Sequence, residues 1–381
     1  MSFRVLFLLI VSVAVCPLFG QAAPSNPKKI NNLSRDYLNV LEKRWNAEFE
    51  KNQRQYEFDE GTSKEKLKEI ASRVKKSFSN WISCENGQRE KYGKLEYFDF
   101  LATDSFLAQK FSFKTVSGIT TTGIVSEPSS VPPPWPVIIL PTATSSNAET
   151  LFGLPKSDYH QSVAKVFAPN YYVLAVNIPP TEMNSGRAQF VRTRAFLLAN
   201  SLGVSWRSLQ VVPRIQGALD FAKENEKIDM SRIAIYGISM GGEAAVIASL
   251  CEPRISVSVV SGSNVLTPHN FVLLQGKRFI YPSFYEYAAV HRPTFAQLLY
   301  ARFPKRTILE LNMRDTSGFA NRAIIAAKKL KDYFRLRGAN ENVDLIVFDE
   351  DGPSQQGHYM RPVVIKNRLD EIFSIQKHDN E

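Results

Sequence analysis

From about residue 137 onward, short runs of mainly apolar residues recur along the chain. Runs that are apolar at nearly every position are typical of strands buried on both faces, as in a parallel sheet. Segments with helical periodicity lie between most of these runs, for example 210–222 and 319–336. Gly338 follows the second segment and would end its helix. This alternation predicts an α/β fold with a mostly parallel central sheet flanked by helices. The apolar runs are 137–140, 172–176, 233–236, 256–260, 307–311 and 343–348.

Two upstream regions have other periodicities. Residues 111–116 and 120–125 alternate around Ser117-Gly118, which predicts an antiparallel hairpin. Before them, apolar and aromatic residues recur at helical spacing over 37–49 and again over 67–81. We therefore expect an N-terminal helical extension, residues 23–105, followed by an α/β domain, residues 106–375. The apolar faces of the extension predict packing against that domain, or a lid over its functional site.

The first residues have the organisation of an export signal. Arg4 precedes an apolar run that continues to about Val15, and Gly20-Gln21-Ala22 supplies small residues for cleavage. The run is too short for a stable anchor, and no later stretch of sequence is long and apolar enough to cross a bilayer. Residues 1–22 are predicted to be a signal peptide, and the mature protein is predicted to be secreted or periplasmic, without stable membrane insertion.

Cysteine usage fits an oxidising compartment. After signal cleavage only Cys84 and Cys251 remain, an even pair that allows one disulfide. Cys251 would equally suit a small buried position on the helix in which it falls.

The composition bears on partners and cofactors. The 381-residue chain has a formal net charge of +10, but its lysines and arginines are scattered among carboxylates. No segment is a basic block interleaved with aromatics, so nucleic-acid binding is not predicted. The sequence contains no zinc-type histidine or cysteine motif, no phosphate loop and no dinucleotide fingerprint, so we predict neither a metal nor a cofactor. Nothing in it indicates an oligomeric state.

The candidate nucleophile lies between the apolar run at 233–236 and a helical pattern that follows at once. The connecting residues are Gly237-Ile238-Ser239-Met240-Gly241, a Gly-x-Ser-x-Gly turn. A strand, a sharp turn and a helix in this order predict a nucleophile elbow, in which the serine has a strained backbone and an exposed hydroxyl. The residues two before and two after the serine must lack side chains because their Cα atoms crowd the turn.

A serine nucleophile needs a base and a group to orient that base. Asp315 follows the strand predicted at 307–311, and His358 follows the one predicted at 343–348. This is the chain order serine, acid, histidine expected for such an elbow. Asp349 and Asp351 are alternative acids.

The developing oxyanion needs two convergent N–H donors. The backbone of Met240, directly after the nucleophile, is the first expected donor. The second should come from the turn after the strand at 137–140, where Pro141 has no N–H. We expect Ala143 to supply it, with Thr142 as the second choice.

With these residues assembled, residues from about 106 to 375 resemble α/β-hydrolases, and within them the dienelactone hydrolase and acetyl xylan esterase-like branch. The likeness is carried by residues 229–242, which include the elbow, and by Cys251-Glu252-Pro253-Arg254-Ile255. It implies a serine carboxylesterase that cleaves a small-molecule ester through Ser239, His358 and Asp315 with an acyl-enzyme intermediate. Pro141-Thr142 departs from the His-Gly usual in this branch, and the helical extension lies outside its core.

Two other functions fit the same scaffold. One is a peptidase or thioesterase. The other is a non-catalytic α/β-hydrolase that acts as a binding protein, although such proteins typically lose a triad residue and this sequence keeps candidates for all three.

Overall fold

The computed structural model describes residues 47–48, 50–79, 91–103, 106–116, 118–144, 146–154, 158–179, 198–199, 205–266, 293–316, 320–352 and 357–375. The strands are β1 (Glu96–Thr103), β2 (Phe106–Lys114), β3 (Thr120–Ser126), β4 (Trp135–Pro141), β5 (Tyr172–Val176), β6 (Ile228–Ile238), β7 (Val257–Ser261), β8 (Arg306–Asn312) and β9 (Val343–Phe348). The α-helices are α1 (Lys64–Ser79), α2 (Ala148–Leu151), α3 (Val163–Phe167), α4 (Trp206–Ala222), α5 (Met240–Cys251), α6 (Ser263–Leu266), α7 (Phe295–Leu298), α8 (Ala320–Leu336) and α9 (Pro362–Phe373). Short 3-10 helices cover Arg54–Tyr56, Leu299–Arg302 and Asn340–Asn342.

All nine strands form one sheet in the order β1-β2-β3-β5-β4-β6-β7-β8-β9. Strands β1, β2, β3 and β5 pair antiparallel in succession, whereas every pair from β5 through β4 to β9 is parallel. The predicted mostly parallel α/β sheet and the β2–β3 hairpin are confirmed. Winding reverses between β5 and β6, which lie on opposite sides of β4. Crevices at the carboxyl ends of strands form at such a reversal.

The central strands of the sheet are buried on both faces. On β4, Val137 and Ile139 belong to one apolar cluster, while the intervening Ile138 and Leu140 belong to the other. Helices α1, α4, α5 and α8 cover the first face, and α2, α3 and α9 cover the second. This double burial explains why the central parallel strands are mainly apolar.

Helix α1 packs on the α/β part of the chain. Leu67, Ile70 and Val74 are fully buried in the same cluster as β4 and β6. The Tyr333 hydroxyl on α8 donates a hydrogen bond to the Leu67 carbonyl at 3.0 Å. The apolar stripe of α1 is therefore a packing surface; the stripe predicted over 37–49 lies almost wholly outside the described residues.

The predicted boundary between extension and α/β domain requires a correction. Residues 96–103 were expected within a helical extension, but they form β1, which pairs with β2. The sheet therefore begins at Glu96, upstream of residue 106. The alternation in this strand is interrupted by a bulge at Asp99, where φ is +41°, so its two halves do not share one periodic pattern.

Three other predictions concern the disulfide, the signal peptide and membrane-spanning segments. Cys251 is disulfide-bonded, whereas Cys84 and the predicted signal peptide lie outside the described residues. Within the part of the chain that is described, no helix has the length and apolar character needed to span a membrane.

Candidate active site

Ser239 lies at the sharp corner between β6 and α5. Its φ of 56° and ψ of −124° are strained for a residue with a side chain, and such strain is typical of functional sites. A Cβ atom on Gly237 would overlap the carbonyl of Gly241, and one on Gly241 would lie 2.8 Å from the Pro141 oxygen. Both glycines are thus required by close backbone contacts, as the sequence predicted.

The turn after β4 lies against the first turn of α5. The Cβ position at Gly241 is 3.7 Å from the Cβ of Ala143, so the expected oxyanion turn is beside the elbow. Ala143 is fully buried, and its N–H donates to the Ser146 hydroxyl at 2.9 Å. The Thr142 N–H donates to the Val176 carbonyl at 3.0 Å. Both candidate amides on this turn therefore already have acceptors.

Asp315 and His358 are brought together at the same edge of the sheet. Nδ1 of His358 is 3.0 Å from Oδ2 of Asp315, and that oxygen also accepts the Ser263 N–H at 2.9 Å. Asp315 is 4% exposed. Charge-assisted bonds of this kind hold both the carboxylate and the imidazole in place.

This pair is linked to the elbow through β7. The Ser239 N–H donates to the carbonyl of Ser261, the last residue of β7, at 3.2 Å. Ser263, two residues later, is the donor to Asp315. The elbow, the acid and the base are therefore connected across adjacent strands.

Asp349 and Asp351, the alternative acids, have a different partner. Arg314 contacts both of them, Asp349 through Nε and Asp351 through Nη1, each at 2.6 Å. Both aspartates are about two-thirds exposed. The carboxylate that is hydrogen-bonded to His358 is that of Asp315.

Comparisons with known proteins give structural relatives only. No family model matches the sequence, and no curated protein matches it. Among solved structures, a candidate acetyl xylan esterase from Bacteroides fragilis superposes with a TM-score of 0.63 at 15% identity, covering 84% of this chain and 91% of its own.

Two further structures extend this result. A glucuronoyl esterase of carbohydrate esterase family 15 from Caldicellulosiruptor kristjansonii has a TM-score of 0.53 at 14% identity, with 84% and 90% of the two chains covered. An acetyl xylan esterase from Paenibacillus has a TM-score of 0.50 at 14% identity, with 84% and 98% covered. The chain has the α/β-hydrolase fold. This is the fold that the sequence indicated.

A buried asparagine joins the two loops of this hydrolase fold that carry Asp315 and His358. Nδ2 of Asn312 donates to the carbonyls of Glu350 at 2.7 Å and Gly357 at 2.8 Å. Its Oδ1 accepts the Arg314 N–H at 3.1 Å. Sequence reasoning missed Asn312, although its position at the end of the strand before Asp315 was a usable signal.

A tyrosine that sequence reasoning also missed lies beside the histidine. The ring of Tyr159 is 5.6 Å from that of His358 at an interplanar angle of 29°, and its hydroxyl donates to the Thr144 carbonyl at 2.8 Å. Tyr159 follows no apolar strand, so no local pattern marked it.

A buried carboxylate supports the start of α9, directly after His358. Glu310 on β8 accepts the Tyr236 hydroxyl at 2.8 Å and the Arg361 N–H at 2.9 Å. Burial raises the pKa of the Glu310 carboxyl above its usual range.

No cluster of three or more metal-ligating side chains occurs among the residues that the structure describes.

Proposed function

We propose that this protein hydrolyses small-molecule carboxylic esters with Ser239 as nucleophile, His358 as base and Asp315 as orienting acid. The observation that carries the proposal is the strained serine at the β6–α5 corner, at the sheet edge that also holds the His358–Asp315 pair. The esterase identity of the structural neighbours named above supports the same reaction class.

The reaction would proceed in two acyl-transfer steps. The Nδ1–H of His358 donates to Asp315, which leaves Nε2 to accept the proton of the Ser239 hydroxyl. The serine oxygen attacks the ester carbonyl, and the resulting imidazolium protonates the leaving alcohol. Water, deprotonated by His358, then attacks the acyl-enzyme and releases the acid with Ser239 restored.

The negative oxygen formed in each step would be stabilised at the start of α5. The Met240 N–H is at the N-terminus of that helix, where unpaired amides and the helix dipole favour negative charge. Ala143 is the second proposed donor. Its N–H would have to share or exchange its hydrogen bond to Ser146 when the substrate binds.

We further propose that residues 1–22 are removed during export and that the mature enzyme is secreted or periplasmic, with an amino-terminal segment preceding a catalytic domain whose sheet begins at Glu96. The apolar run and small-residue cleavage site of the first 22 residues support this. Amino-terminal sequencing of protein recovered outside the cytoplasm should then begin at Ala23.

The test is hydrolysis of p-nitrophenyl esters of increasing acyl length by the mature protein and by Ser239→Ala. Ser249→Ala is a matched control because Ser249 lies on the same helix, with its hydroxyl bound to the Val246 carbonyl at 2.8 Å. We expect activity to be lost in Ser239→Ala only. Sugar acetates and uronate methyl esters belong in the panel because of the neighbours' substrates, and a thioester and a peptide would reveal the alternative hydrolases.

Equal, negligible rates for wild type and Ser239→Ala across the panel would contradict the esterase proposal. Fluorophosphonate labelling would then discriminate between the remaining functions. Labelling at Ser239 would indicate a hydrolase of narrow specificity, and its absence a binding protein.

A further inference from the structure

Tyr159 contacts two loops that the proposed reaction requires to act together. Its hydroxyl donates to the Thr144 carbonyl in the turn after β4. Its ring stacks on the imidazole of His358, and its own carbonyl accepts the Met360 N–H at 3.0 Å. One residue therefore binds the oxyanion turn through its side-chain oxygen and the histidine loop through its ring and backbone.

Among the strands that the structure describes, no pairing connects those two loops directly. The oxyanion turn follows β4 and the histidine loop follows β9, and β6, β7 and β8 lie between these strands in the sheet. Their relative position therefore depends on contacts across the carboxyl edge of the sheet. Tyr159 supplies such contacts to both.

Tyr159 is itself held by its neighbours in the chain. The ring of His160 packs against it with centroids 4.1 Å apart, and Nδ1 of His160 is 2.9 Å from both carboxylate oxygens of Asp158. His160 is almost fully buried. A ring fixed in this way can restrict the imidazole that stacks on it.

The Tyr159 hydroxyl remains a donor throughout the working pH range. Burial is the main cause that raises its pKa, and the charge of Asp158 adds to the effect. A protonated hydroxyl is what the bond to the Thr144 carbonyl requires.

We propose that Tyr159 is a positioning residue that fixes the oxyanion turn relative to His358. This inference rests on the proposed ester hydrolysis. The oxyanion donors and the base act on the same ester group, so an error in the distance between their loops lowers the stabilisation of the transition state more than the binding of the substrate.

Tyr159→Phe tests the inference because it keeps the ring and removes only the hydroxyl. We expect kcat to fall about tenfold or more with KM within about twofold, since a displacement near 1 Å lowers rates by up to about a hundredfold. Affinity for a boronic acid, which mimics the tetrahedral intermediate, should weaken in parallel with kcat/KM. A residue with a purely structural role would not produce this pattern.

Tyr171→Phe is the matched control. Its hydroxyl is also buried and donates to Asp370 at 2.7 Å, among residues that pack against α9, so removing it should lower Tm without changing kcat. The inference would be overturned if Tyr159→Phe kept the wild-type kcat and boronate affinity, or lost activity only in proportion to a loss of folded protein.

A second variant tests the ring. Tyr159→Leu removes the ring that stacks on His358 as well as the hydroxyl. We expect kcat to fall further in Tyr159→Leu than in Tyr159→Phe, with KM again within about twofold. Equal kcat values in the two variants would contradict a role for the ring.

The measurements separate this inference from the proposed function. If wild-type protein hydrolysed no ester, the rate of fluorophosphonate labelling of Ser239 would report on the same base and oxyanion turn. Absence of labelling would remove the proposed function and the inference together. Labelling that proceeds equally in wild type and Tyr159→Phe would refute the inference alone.

Discussion

His358 is hydrogen-bonded through Nδ1 to Oδ2 of Asp315 at 3.0 Å, although the two residues are 43 positions apart in the chain. The same carboxylate oxygen accepts the backbone N–H of Ser263, so the acid is fixed before any substrate binds. A histidine held at Nδ1 presents Nε2 as the acceptor, which is the tautomer that a general base requires.

The first prediction concerns that acid. Asp315→Asn should lower kcat by two to about four orders of magnitude, because an amide favours the wrong imidazole tautomer and does not stabilise the imidazolium. Steady-state hydrolysis of a p-nitrophenyl ester measures the effect. Asp349→Asn is the control, since Asp349 pairs with Arg314, and a comparable loss in that variant would argue against Asp315.

The second prediction concerns the elbow. Gly241→Ala would place a methyl group 2.8 Å from the Pro141 oxygen and push the turn after β4 away from α5. We expect the free energy of unfolding to fall by about 1–3 kcal/mol and kcat to fall as well. Denaturant titration measures the first effect, and steady-state kinetics measures the second. Gly61→Ala, whose Cβ would have its nearest neighbour at 3.6 Å, should leave both unchanged. An active, fully stable Gly241→Ala would show that the turn need not touch the helix.

The third prediction concerns Asn312. Asn312→Asp preserves shape but replaces the donor to Glu350 and Gly357 with an acceptor, so two carbonyls would face a carboxylate. The free energy of unfolding should fall by about 2 kcal/mol or more. The value of kcat should also fall, because the His358 loop is released from the Asp315 loop. Asn342→Asp, which removes a bond to the Pro304 carbonyl near the surface, should not alter kcat. Wild-type turnover in Asn312→Asp would show that the loops are held by other contacts.

The fourth prediction is a pH dependence. Because burial raises the pKa of Glu310, the folded protein retains this proton to higher pH than the unfolded chain does. The stability from this group is therefore fully present below its ordinary value of 4.5 and is lost as pH rises through the raised pKa.

Glu310→Gln removes that titration. In urea unfolding from about pH 4 to about pH 7, the free energy of unfolding of the wild type should fall relative to that of the variant. Glu341→Gln, at an exposed position, provides the comparison and should run parallel to the wild type. If the pH dependence of the free energy of unfolding of Glu310→Gln also ran parallel to that of the wild type, the Glu310 carboxyl would have the same pKa in the folded and unfolded protein.

The elements that sequence located correctly are those with a local physical cause. Strands buried on both faces are mainly apolar runs, and the elbow requires glycine at position 237 because a Cβ atom there would overlap the Gly241 carbonyl four residues later. The loops that carry Asp315 and His358 could be predicted to share one edge because parallel strands all end there.

Other features depended on contacts between distant parts of the chain. β1 was missed because a bulge at Asp99 breaks its alternation. The sequence favoured Asp315 and left Asp349 and Asp351 as alternatives, and in the folded chain those two pair with Arg314 while Asp315 bonds to His358. Likewise, the engagement of the Ala143 amide by Ser146 is a property of the folded turn.

By itself, then, the sequence indicated the alternation of strands and helices from residue 106 onward, the position of the candidate nucleophile and the strands after which its proposed partners follow. The tertiary structure decided which carboxylate meets His358, and it brought Tyr159 and Asn312 to the loops they join. The reason is physical: periodicity and steric crowding act between near neighbours in the chain, whereas hydrogen bonds and ring contacts across a sheet edge exist only after the strands have assembled.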